Sequence, residues 1–310
     1  MRGLRDRLQG LGGRFASVGI VGVVGVVGMA TLAISRASGI EVRPASAAGT
    51  ATDRTIHVDP DTLYPWSYPV GERMEYSVTW EGIRLGIGSL SVEAIDSIQN
   101  QAVYRVALEM EGGPPFYRVE DRIVSWIQPV PYRSLQFAQN QKEGNYRRNR
   151  KIVLDAEAHT YTRFDLKDGE YVQNSSEIDV PIPPDALDEV SYLYMVRLLP
   201  LEVGQRYEFD RYFKEDGNPA TVEVLRREEV RVPAGRFKTI VLRPEVATDG
   251  MFGEGGEAEV YLTDDEYRIP VRLKTSLVVG SGNMFLTGYD PGEGGELIAP
   301  GKTTARAGVQ

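Results

Sequence analysis

The sequence has no cysteine and only two histidines, His57 and His159, among its 310 residues. The absence of cysteine excludes a disulfide framework, a thiolate zinc site and a cysteine nucleophile within this chain. Two histidines are too few for a histidine-rich metal centre, and we predict neither a metal site nor a cofactor. The fold must therefore be stabilised by packing and hydrogen bonds alone.

The chain also lacks an excess of positive charge. Six of its 35 lysine and arginine residues and two of its 44 acidic residues lie in residues 1–47, so the remainder has a net charge of about −13. A surface of this sign repels the phosphates of nucleic acid and of anionic lipid headgroups. We therefore predict that nucleic acid is not a partner.

Residues 1–47 have the order of an export signal. Four arginines precede Phe15–Ile34, a run of twenty residues without charge. A run of this length can span a bilayer and remain as an anchor, whereas Ala45-Ser46-Ala47 offers a small-residue cleavage site. The segment is therefore predicted to be a signal peptide or a membrane anchor. The protein is expected in the periplasm or cell envelope, attached to the inner membrane if the segment is retained.

Composition divides the rest of the chain into three segments. Residues 48–67 contain prolines and many small or polar residues, which is typical of a linker or of an arm laid along a domain. Residues 68–290 alternate short apolar runs with turn residues and are predicted to form one β-rich domain. Residues 291–310 are rich in glycine, proline and alanine and are predicted to be a disordered tail.

Alternation of apolar and polar residues predicts strands through most of the domain. In one such strand the apolar residues that share a face are Tyr104, Val106, Leu108 and Met110. A period of two over several runs indicates an antiparallel sheet with one covered face. Pro233-Ala234-Gly235 is predicted to join two strands as a tight hairpin, because glycine adopts a positive φ without strain.

Residues 185–199 are predicted to form a single central helix. Prolines just upstream prevent the helix from starting earlier, Asp185 can accept backbone N–H groups as the N-cap, and Pro200 ends the run. Apolar residues recur at helical spacing, namely Leu187, Val190, Tyr194 and Leu198. The predicted fold class is therefore mainly β, a large curved antiparallel sheet or an incomplete β-barrel with one central helix.

The covered face of a strongly curved sheet can enclose a lipid-like molecule, with the helix as plug or lid. The candidate ligand-binding residues on that face are Tyr104, Val106, Leu108 and Met110. The alternative is that these side chains form a packed core and that the helix seals the open side. The sequence leaves both interpretations open.

A run of basic residues is the sharpest charge feature of the chain. Its members are Lys142, Arg147, Arg148, Arg150 and Lys151, in what is predicted to be a hairpin and its second strand. Tyr146, Arg148 and Arg150 would share one face and could bind a phosphate or a polymer carboxylate. The alternative is a solvated edge strand whose charges prevent aggregation.

The sequence offers little support for an enzyme. No serine lies in a Gly-x-Ser-x-Gly turn with a histidine base nearby. Carboxylates of a glycan hydrolase could come from Glu120-Asp121 or Asp264-Asp265-Glu266. However, adjacent strand residues point to opposite faces, and an Asp-Asp pair before a strand is ordinary turn chemistry.

Several segments in a fixed order resemble a bacterial family, domain of unknown function 3108. These segments are Val70–Trp80 with Gly86–Val92, Asp188–Arg197 with Pro200-Leu201, Val232–Phe237, and Asp264–Val271. Together they cover most of residues 68–289. The resemblance implies an exported or envelope protein and supplies no catalytic residue.

These observations lead us to expect a non-enzymatic cell-envelope protein that binds an apolar or polymeric envelope ligand. The candidate site residues are those of the covered face together with Tyr146, Arg148 and Arg150. One alternative is a structural or assembly factor that acts through an envelope protein partner. A second alternative is a carboxylate-dependent glycan hydrolase.

Overall fold

The computed structural model describes residues 55–58, 63–65, 68–113, 117–246, 257–277 and 280–293. The predicted signal peptide or anchor, most of the predicted linker and residues 294–310 of the predicted tail lie outside the described residues. Within these ranges, ten strands precede the helix α1 (Glu189–Arg197) and six follow it.

The strands before the helix are β1 (Thr55–His57), β2 (Glu72–Trp80), β3 (Ile83–Ile98), β4 (Gln101–Gly112), β5 (Val119–Pro129), β6 (Tyr132–Glu143), β7 (Tyr146–Asp155), β8 (Thr160–Lys167), β9 (Glu170–Gln173) and β10 (Val180–Pro181). Those after it are β11 (Arg206–Phe209), β12 (Ala220–Val232), β13 (Gly235–Glu245), β14 (Glu257–Thr263), β15 (Pro270–Leu277) and β16 (Gly280–Pro291). A 3₁₀ turn occupies Glu215–Gly217.

All sixteen strands belong to one sheet. Its order is β1-β11-β12-β13-β14-β15-β16-β2-β3-β4-β5-β6-β7-β8-β10, with β9 paired to β8. Strands β1 and β11 are parallel, and the other pairs of named strands are antiparallel. The sheet remains open between β1 and β10. The predicted fold class, a large curved antiparallel sheet with one helix, is therefore confirmed.

Tight turns set the register of consecutive strands. In the predicted hairpin, Val232 pairs with Gly235, whose φ is +146°. The two-residue loop needs this conformation, which glycine reaches without a Cβ clash. Pairing between β16 and β2 joins the later strands to the earlier ones, so the last strand and the second strand lie side by side in the middle of the sheet.

The helix starts later than the sequence predicted. Asp185 has a positive φ of 50° and is not the N-cap. Leu187 is not part of the helix, because its backbone N–H donates to the carbonyl of Arg211, in the segment after β11, at 2.7 Å. Asp188 is the N-cap, and its Oδ1 accepts from Val190 N at 2.8 Å and Ser191 N at 2.9 Å. The predicted range 185–199 is thus corrected to 189–197.

The helix lies inside the curve of the sheet and is held from both halves of the chain. Tyr132 on β6 donates its hydroxyl to the Ser191 carbonyl at 2.7 Å. The Tyr192 hydroxyl donates to the Thr221 carbonyl of β12 at 3.1 Å. The apolar side chains of α1 and the inner face of the sheet form one hydrophobic core. The sheet therefore curls around the helix.

An ion pair with no solvent exposure fixes the end of the helix. Arg197 is 0% exposed and Glu72, at the start of β2, is 1% exposed. The guanidinium donates twice to the Glu72 carboxylate, at 2.7 and 3.0 Å, and also to the carbonyls of Arg268 and Tyr267. Its carbon lies 3.7 Å from the centre of the Tyr68 ring. All three guanidinium nitrogens of Arg197 are therefore hydrogen-bonded, and its charge is paired.

Two predicted boundaries shift slightly. Part of the predicted linker forms β1, which pairs with β11 as an arm along the domain. At the other end, β16 extends to Pro291, and Glu293 N donates to the Val70 carbonyl at 3.0 Å. Pro291, the first residue of the predicted tail, therefore belongs to the sheet, and Glu293 makes a backbone hydrogen bond just after β16.

Candidate functional site

Polar side chains replace apolar ones on the inner face of the sheet at one end of strands β5, β6 and β7. Strand register places Asp121 opposite Gln141, Gln141 opposite Arg148, and Gln139 opposite Arg150. Because every second residue of a strand points to the same face, these side chains lie together. The set that we call the rim cluster is Asp121, Gln139, Gln141, Glu143, Arg148 and Arg150, with Glu189 and Lys214 facing it from the helix side.

Arg150 is the most deeply placed cation of the rim cluster. Its side chain is 4% exposed, and its Nε donates to Gln139 Oε1. Its Nη2 has no hydrogen-bond partner within the described part of the chain. Burial lowers the pKa of Arg150, while the Glu189 carboxylate acts in the opposite direction. The Arg150 charge is therefore held in the interior, and one nitrogen of its guanidinium, Nη2, forms no hydrogen bond with the described residues.

Other buried atoms of the rim cluster also lack a partner among the described residues. They are Gln139 Nε2 and Gln141 Oε1. The Asp121 carboxylate instead interacts with the side chains of Gln141 and Glu143, and the Tyr212 hydroxyl interacts with Glu189. Gln139 and Gln141 are 1% and 0% exposed. A buried polar atom without a hydrogen bond costs about 1–3 kcal/mol, so such atoms are normally satisfied by water or by a ligand. Their concentration in one place marks a polar site.

Two carboxyl groups of the rim cluster lie close together. Asp121 Oδ1 accepts from Lys142 N at 3.1 Å. Burial and the neighbouring Asp121 carboxylate raise the pKa of Glu143 to about 7. Burial also raises the pKa of Asp121. Since two adjacent buried carboxylates do not both ionise readily, the pair holds one proton near neutral pH.

The helix side contributes charge of both signs. Glu189, the first residue of α1, is half-buried. Burial and the charge of Arg150 lower the pKa of Lys214. With Arg148 at the mouth, the cluster therefore combines cations, carboxylates and amides within a small, largely buried space.

The predicted basic run is divided between two environments. Tyr146, Arg148 and Arg150 share the inner face, as predicted, and the Arg148 guanidinium lies 5.4 Å from the Tyr146 ring centre. Arg147 points the other way and donates to the carbonyls of Gly144 and Tyr146. The edge-strand interpretation is wrong, because β7 lies between β6 and β8.

The predicted apolar candidates lie elsewhere on the inner face. Val106, Leu108 and Met110 are 0%, 6% and 5% exposed and belong to the hydrophobic core. Tyr104 is half-buried and packs against that core. Only Met110 adjoins the rim cluster, through its pairing with Asp121. Ligand binding by these four residues stays a prediction.

The carboxylates considered for glycan hydrolysis are not brought together. Glu120 lies on the outer face, where it accepts from Lys142 Nζ at 3.0 Å. Asp265 accepts from the backbone N–H groups of Tyr267 and Arg268, which is the predicted turn chemistry. Among the described residues, no group of three or more histidine, aspartate or glutamate side chains could hold a metal ion.

A groove of about 730 Å³ lies on the outer face of the sheet, lined by residues of β2 to β6 and β16. Its charged side chains pair with one another or with near neighbours. Arg122, for example, donates to both oxygens of Glu93 at 2.8 Å and also to Glu109. Most charged side chains of the outer groove are therefore in ion pairs, whereas Arg150 Nη2 of the rim cluster has no partner among the described residues.

Sequence reasoning missed Gln139, Gln141 and Glu143. A signal was present, because Phe137 begins an alternation in which each second residue of β6 points inward. A polar residue at three successive inward positions departs from the apolar pattern of a covered face. The partner elements, β7 and the first turn of α1, could not be read from that pattern.

Comparison with solved structures finds distant similarities. A beta-barrel-like protein of domain of unknown function DUF1849 from Brucella abortus is 9% identical, with a TM-score of 0.42 over 74% of this chain and 98% of that chain. A protein from Bacteroides fragilis with a YmcC-like fold, thought to be exported, is 11% identical, with a TM-score of 0.28 over 74% and 99% of the two chains. A protein from Parabacteroides distasonis thought to be a lipoprotein is 11% identical, with a TM-score of 0.29 over 74% and 100%.

The sequence matches no curated protein. Within the ranges that the structure describes, no helix combines the length and apolar content needed to span a bilayer. A family model described as protein of unknown function (DUF3108) matches residues 75–287, which include strands β3 to β15, the helix and the whole rim cluster. The chain belongs to the DUF3108 family.

Proposed function

We propose that the protein is a non-enzymatic component of the cell envelope that binds a polar stretch of an envelope polymer in the rim cluster. The observation that carries this proposal is the group of buried polar atoms without partners among the described residues, namely Arg150 Nη2, Gln139 Nε2 and Gln141 Oε1. Leaving these buried atoms without hydrogen bonds lowers the stability of the folded chain. A bound polar group would supply the missing hydrogen bonds.

The packing of the inner face favours a polymer over a lipid-like ligand. Val106 and Leu108 are buried in the core beneath the helix, so these candidate lipid contacts already have apolar neighbours. The rim cluster instead offers charged and amide groups next to half-buried side chains at its mouth, such as Arg148. Polar recognition of this kind suits an extended chain that enters from solvent.

The envelope location rests on residues 1–47. Arginines followed by an uncharged twenty-residue run are the order of an export signal or anchor. The negative charge of the remaining chain favours an uncharged or zwitterionic surface over nucleic acid. These features support a location of the rim cluster outside the cytoplasm, where envelope polymers are found.

An assembly factor acting through a protein partner is the second candidate. The observation in its favour is a set of exposed apolar side chains near the β8–β9 hairpin, namely Leu166, Tyr171, Val172 and Ile178. Exposed apolar groups near one another are typical of protein contacts. This surface and the rim cluster lie on different parts of the sheet and can be tested separately.

Cosedimentation of the exported, full-length protein tests the proposal. The probes are purified peptidoglycan sacculi and vesicles of phosphatidylethanolamine with phosphatidylglycerol. We expect the protein to sediment with sacculi and Arg148→Ala to weaken this roughly tenfold, as loss of a charge-assisted hydrogen bond does. Arg147→Ala is the matched control, because Arg147 is adjacent in sequence but lies on the outer face.

Each outcome decides between the candidates. Sedimentation with vesicles alone would support a lipid-like ligand and contradict the proposal. Equal loss in the Arg147 and Arg148 variants would mean that general surface charge, rather than the rim cluster, holds the polymer. If Tyr171→Ser alone abolishes sedimentation, the exposed hairpin is responsible and the assembly role gains support.

A further inference from the structure

The strands at the open ends of the sheet are protected to different degrees. Among the described strands, β1, β9 and β10 each have one edge without a paired neighbour. Strand β10 is two residues long and includes Pro181, which has no backbone N–H to donate. Strand β1 has three residues. Short strands and proline are usual means of protecting an edge from other chains. Strand β9 (Glu170–Gln173) has four residues, without proline or lysine, and is therefore the least protected edge of the described sheet.

The register of the β8–β9 hairpin determines which backbone groups of β9 remain free. Asn174 N, just after β9, donates to the Arg163 carbonyl of β8 at 2.8 Å. Because the hydrogen-bonding direction alternates along a strand, Val172 and Asn174 face β8. Tyr171 and Gln173 therefore direct their backbone N–H and C=O groups away from β8, toward an edge where no described strand pairs with them.

Apolar side chains are exposed on both faces of the same hairpin. Leu166 and Tyr171, which form a cross-strand pair, are 38% and 45% exposed on one face. Val172 is 44% exposed on the other face. Aromatic and β-branched side chains favour strands, and here they lie beside unpaired backbone groups. These features together suit the addition of another strand to the edge of β9.

We infer that β9 pairs antiparallel with β9 of a second copy of the chain, around a twofold axis at Val172. In this register Tyr171 of each copy lies opposite Gln173 of the other, and the two residues exchange both of their N–H···O bonds. Both residues with free backbone groups are then paired. An axis at Tyr171 or at Gln173 would instead place one of them opposite a turn residue, Gly169 or Ser175.

The side chains of the hairpin favour a second copy as the partner. Glu170 lies opposite Asn174 of the second copy in this register, so no like charges face each other. Val172 packs against Val172 of the second copy, and Tyr171 lies between Leu166 of its own chain and the added strand. The rim cluster lies on β5 to β7, outside this interface. The inference therefore goes beyond the proposed polymer binding and is independent of it.

The absence of cysteine from the chain allows a direct test by disulfide cross-linking. Val172→Cys introduces a single thiol into the full-length protein. At the twofold axis the two copies of this residue form a non-hydrogen-bonded pair, whose Cα atoms are about 4.5 Å apart and within the range of a disulfide. We expect a disulfide-linked dimer on non-reducing gels after mild oxidation. Ile95→Cys is the matched control and should remain monomeric, because Ile95 is 57% exposed but lies on β3, inside the sheet.

Two further variants test the strand pairing. Gln173→Pro removes the outward N–H of Gln173 and leaves the groups that face β8 in place. Combined with Val172→Cys, it should lower the yield of cross-linked dimer at least about tenfold, since each copy loses a hydrogen bond. Val172→Lys places two ammonium groups opposite each other and should shift the mass measured by light scattering from dimer to monomer. Ile95→Lys should leave that mass unchanged.

The other outcomes overturn the inference. A monomeric mass without a cross-link at Val172→Cys would show that the edge of β9 does not pair with itself. Equal cross-linking of Ile95→Cys would indicate random collision, and a dimer that does not cross-link at Val172→Cys is held by another surface. If a cross-linked species of another mass forms only in whole cells, the partner is a different protein. Sedimentation with sacculi depends on Arg148, so either proposal can fail alone.

Discussion

A buried arginine lies near each end of the helix, and the two are used in opposite ways. Arg197 in the last turn donates to Glu72 and to two backbone carbonyls. Burial by itself lowers the pKa of Arg197, but the Glu72 carboxylate together with Tyr68 and Tyr194 more than offsets this and the pKa is raised. Arg150, near the first turn, is buried to nearly the same degree, has an unused Nη2 and a lowered pKa.

Arg197 is therefore a structural charge, whereas Arg150 can still form hydrogen bonds with water or a ligand. Burying an ion pair is costly, and good geometry with additional hydrogen bonds offsets that cost. Arg197 meets this condition within the described chain, so nothing remains for a ligand to add. Arg150 does not meet it, so the missing interactions must come from water or from a bound group.

Substitution of Arg197 should have the largest effect on stability. Arg197→Leu leaves the Glu72 carboxylate buried without a partner, and we expect the free energy of unfolding to fall by about 3–5 kcal/mol in urea titrations. The double variant Arg197→Leu, Glu72→Leu should recover part of this loss, because no unpaired charge remains. A loss below that of a surface pair such as Lys142 with Glu120 would contradict the structural role.

Substitution of the N-cap residue Asp188 tests how much the first turn of the helix contributes to stability. Asp188→Ala should lower the free energy of unfolding by about 2 kcal/mol, because Val190 N and Ser191 N lose their acceptor. Asp188→Asn keeps an acceptor and should cost less. Asp185→Ala is the matched control and should cost less than Asp188→Ala, since Asp185 caps nothing. Equal losses at both positions would support the start predicted from sequence.

The Asp121 and Glu143 carboxyl groups of the rim cluster predict that the free energy of unfolding depends on pH. The pKa of Glu143 is raised from 4.5 to about 7, so the folded chain keeps a proton that the unfolded chain has released. Stability should therefore fall as pH rises through this window, by up to about 1.4 kcal/mol per pH unit. Asp188, with a pKa raised to about 6, contributes with the same sign at lower pH.

The Glu143→Gln variant measures how much Glu143 contributes to this pH dependence. Denaturant titrations between pH 6 and 7 should show a flatter dependence in this variant than in the unsubstituted protein, because one titrating group has been removed. Asp188→Asn should flatten the profile mainly below pH 6. An unchanged profile in Glu143→Gln would mean that the pair does not share a proton.

Substitution of Arg150 should have the smallest effect on stability. Arg150→Met removes a buried charge that lacks full pairing, so we expect a change of less than about 1 kcal/mol in the free energy of unfolding. Sedimentation with sacculi should nevertheless be lost. A stability loss as large as that of Arg197→Leu would remove the distinction between the two arginines.

Local sequence patterns predicted most of the fold. The alternation of Val106, Leu108 and Met110 correctly placed them on the covered face, and Gly235 correctly marked a hairpin. The helix start was wrong because Asp185 and Asp188 are both suitable caps by residue type. Only the pairing of Leu187 with the chain near Arg211 shows which of the two is used.

The site was predictable only in part. The spacing of Arg148 and Arg150 placed them on one face, since that relation depends on a single strand. Their burial depends on β8, on Glu189 and on Lys214, which are distant in sequence. Likewise, nothing local to Glu72 indicates its pairing with Arg197, 125 residues away. Contacts of this kind arise from the topology rather than from any local pattern.

The open seam between β1 and β10 has a mechanical consequence. In a closed barrel, the number of strands and their stagger fix the circumference. A sheet that never meets its own edge has no such constraint, so its radius follows whatever it wraps. Here the sheet wraps around the helix, to which it is hydrogen-bonded through Tyr132, Tyr192 and Arg197. The edge strands β1 and β10 therefore do not fix the curvature of the described sheet, which follows from the contacts of the helix with its inner face.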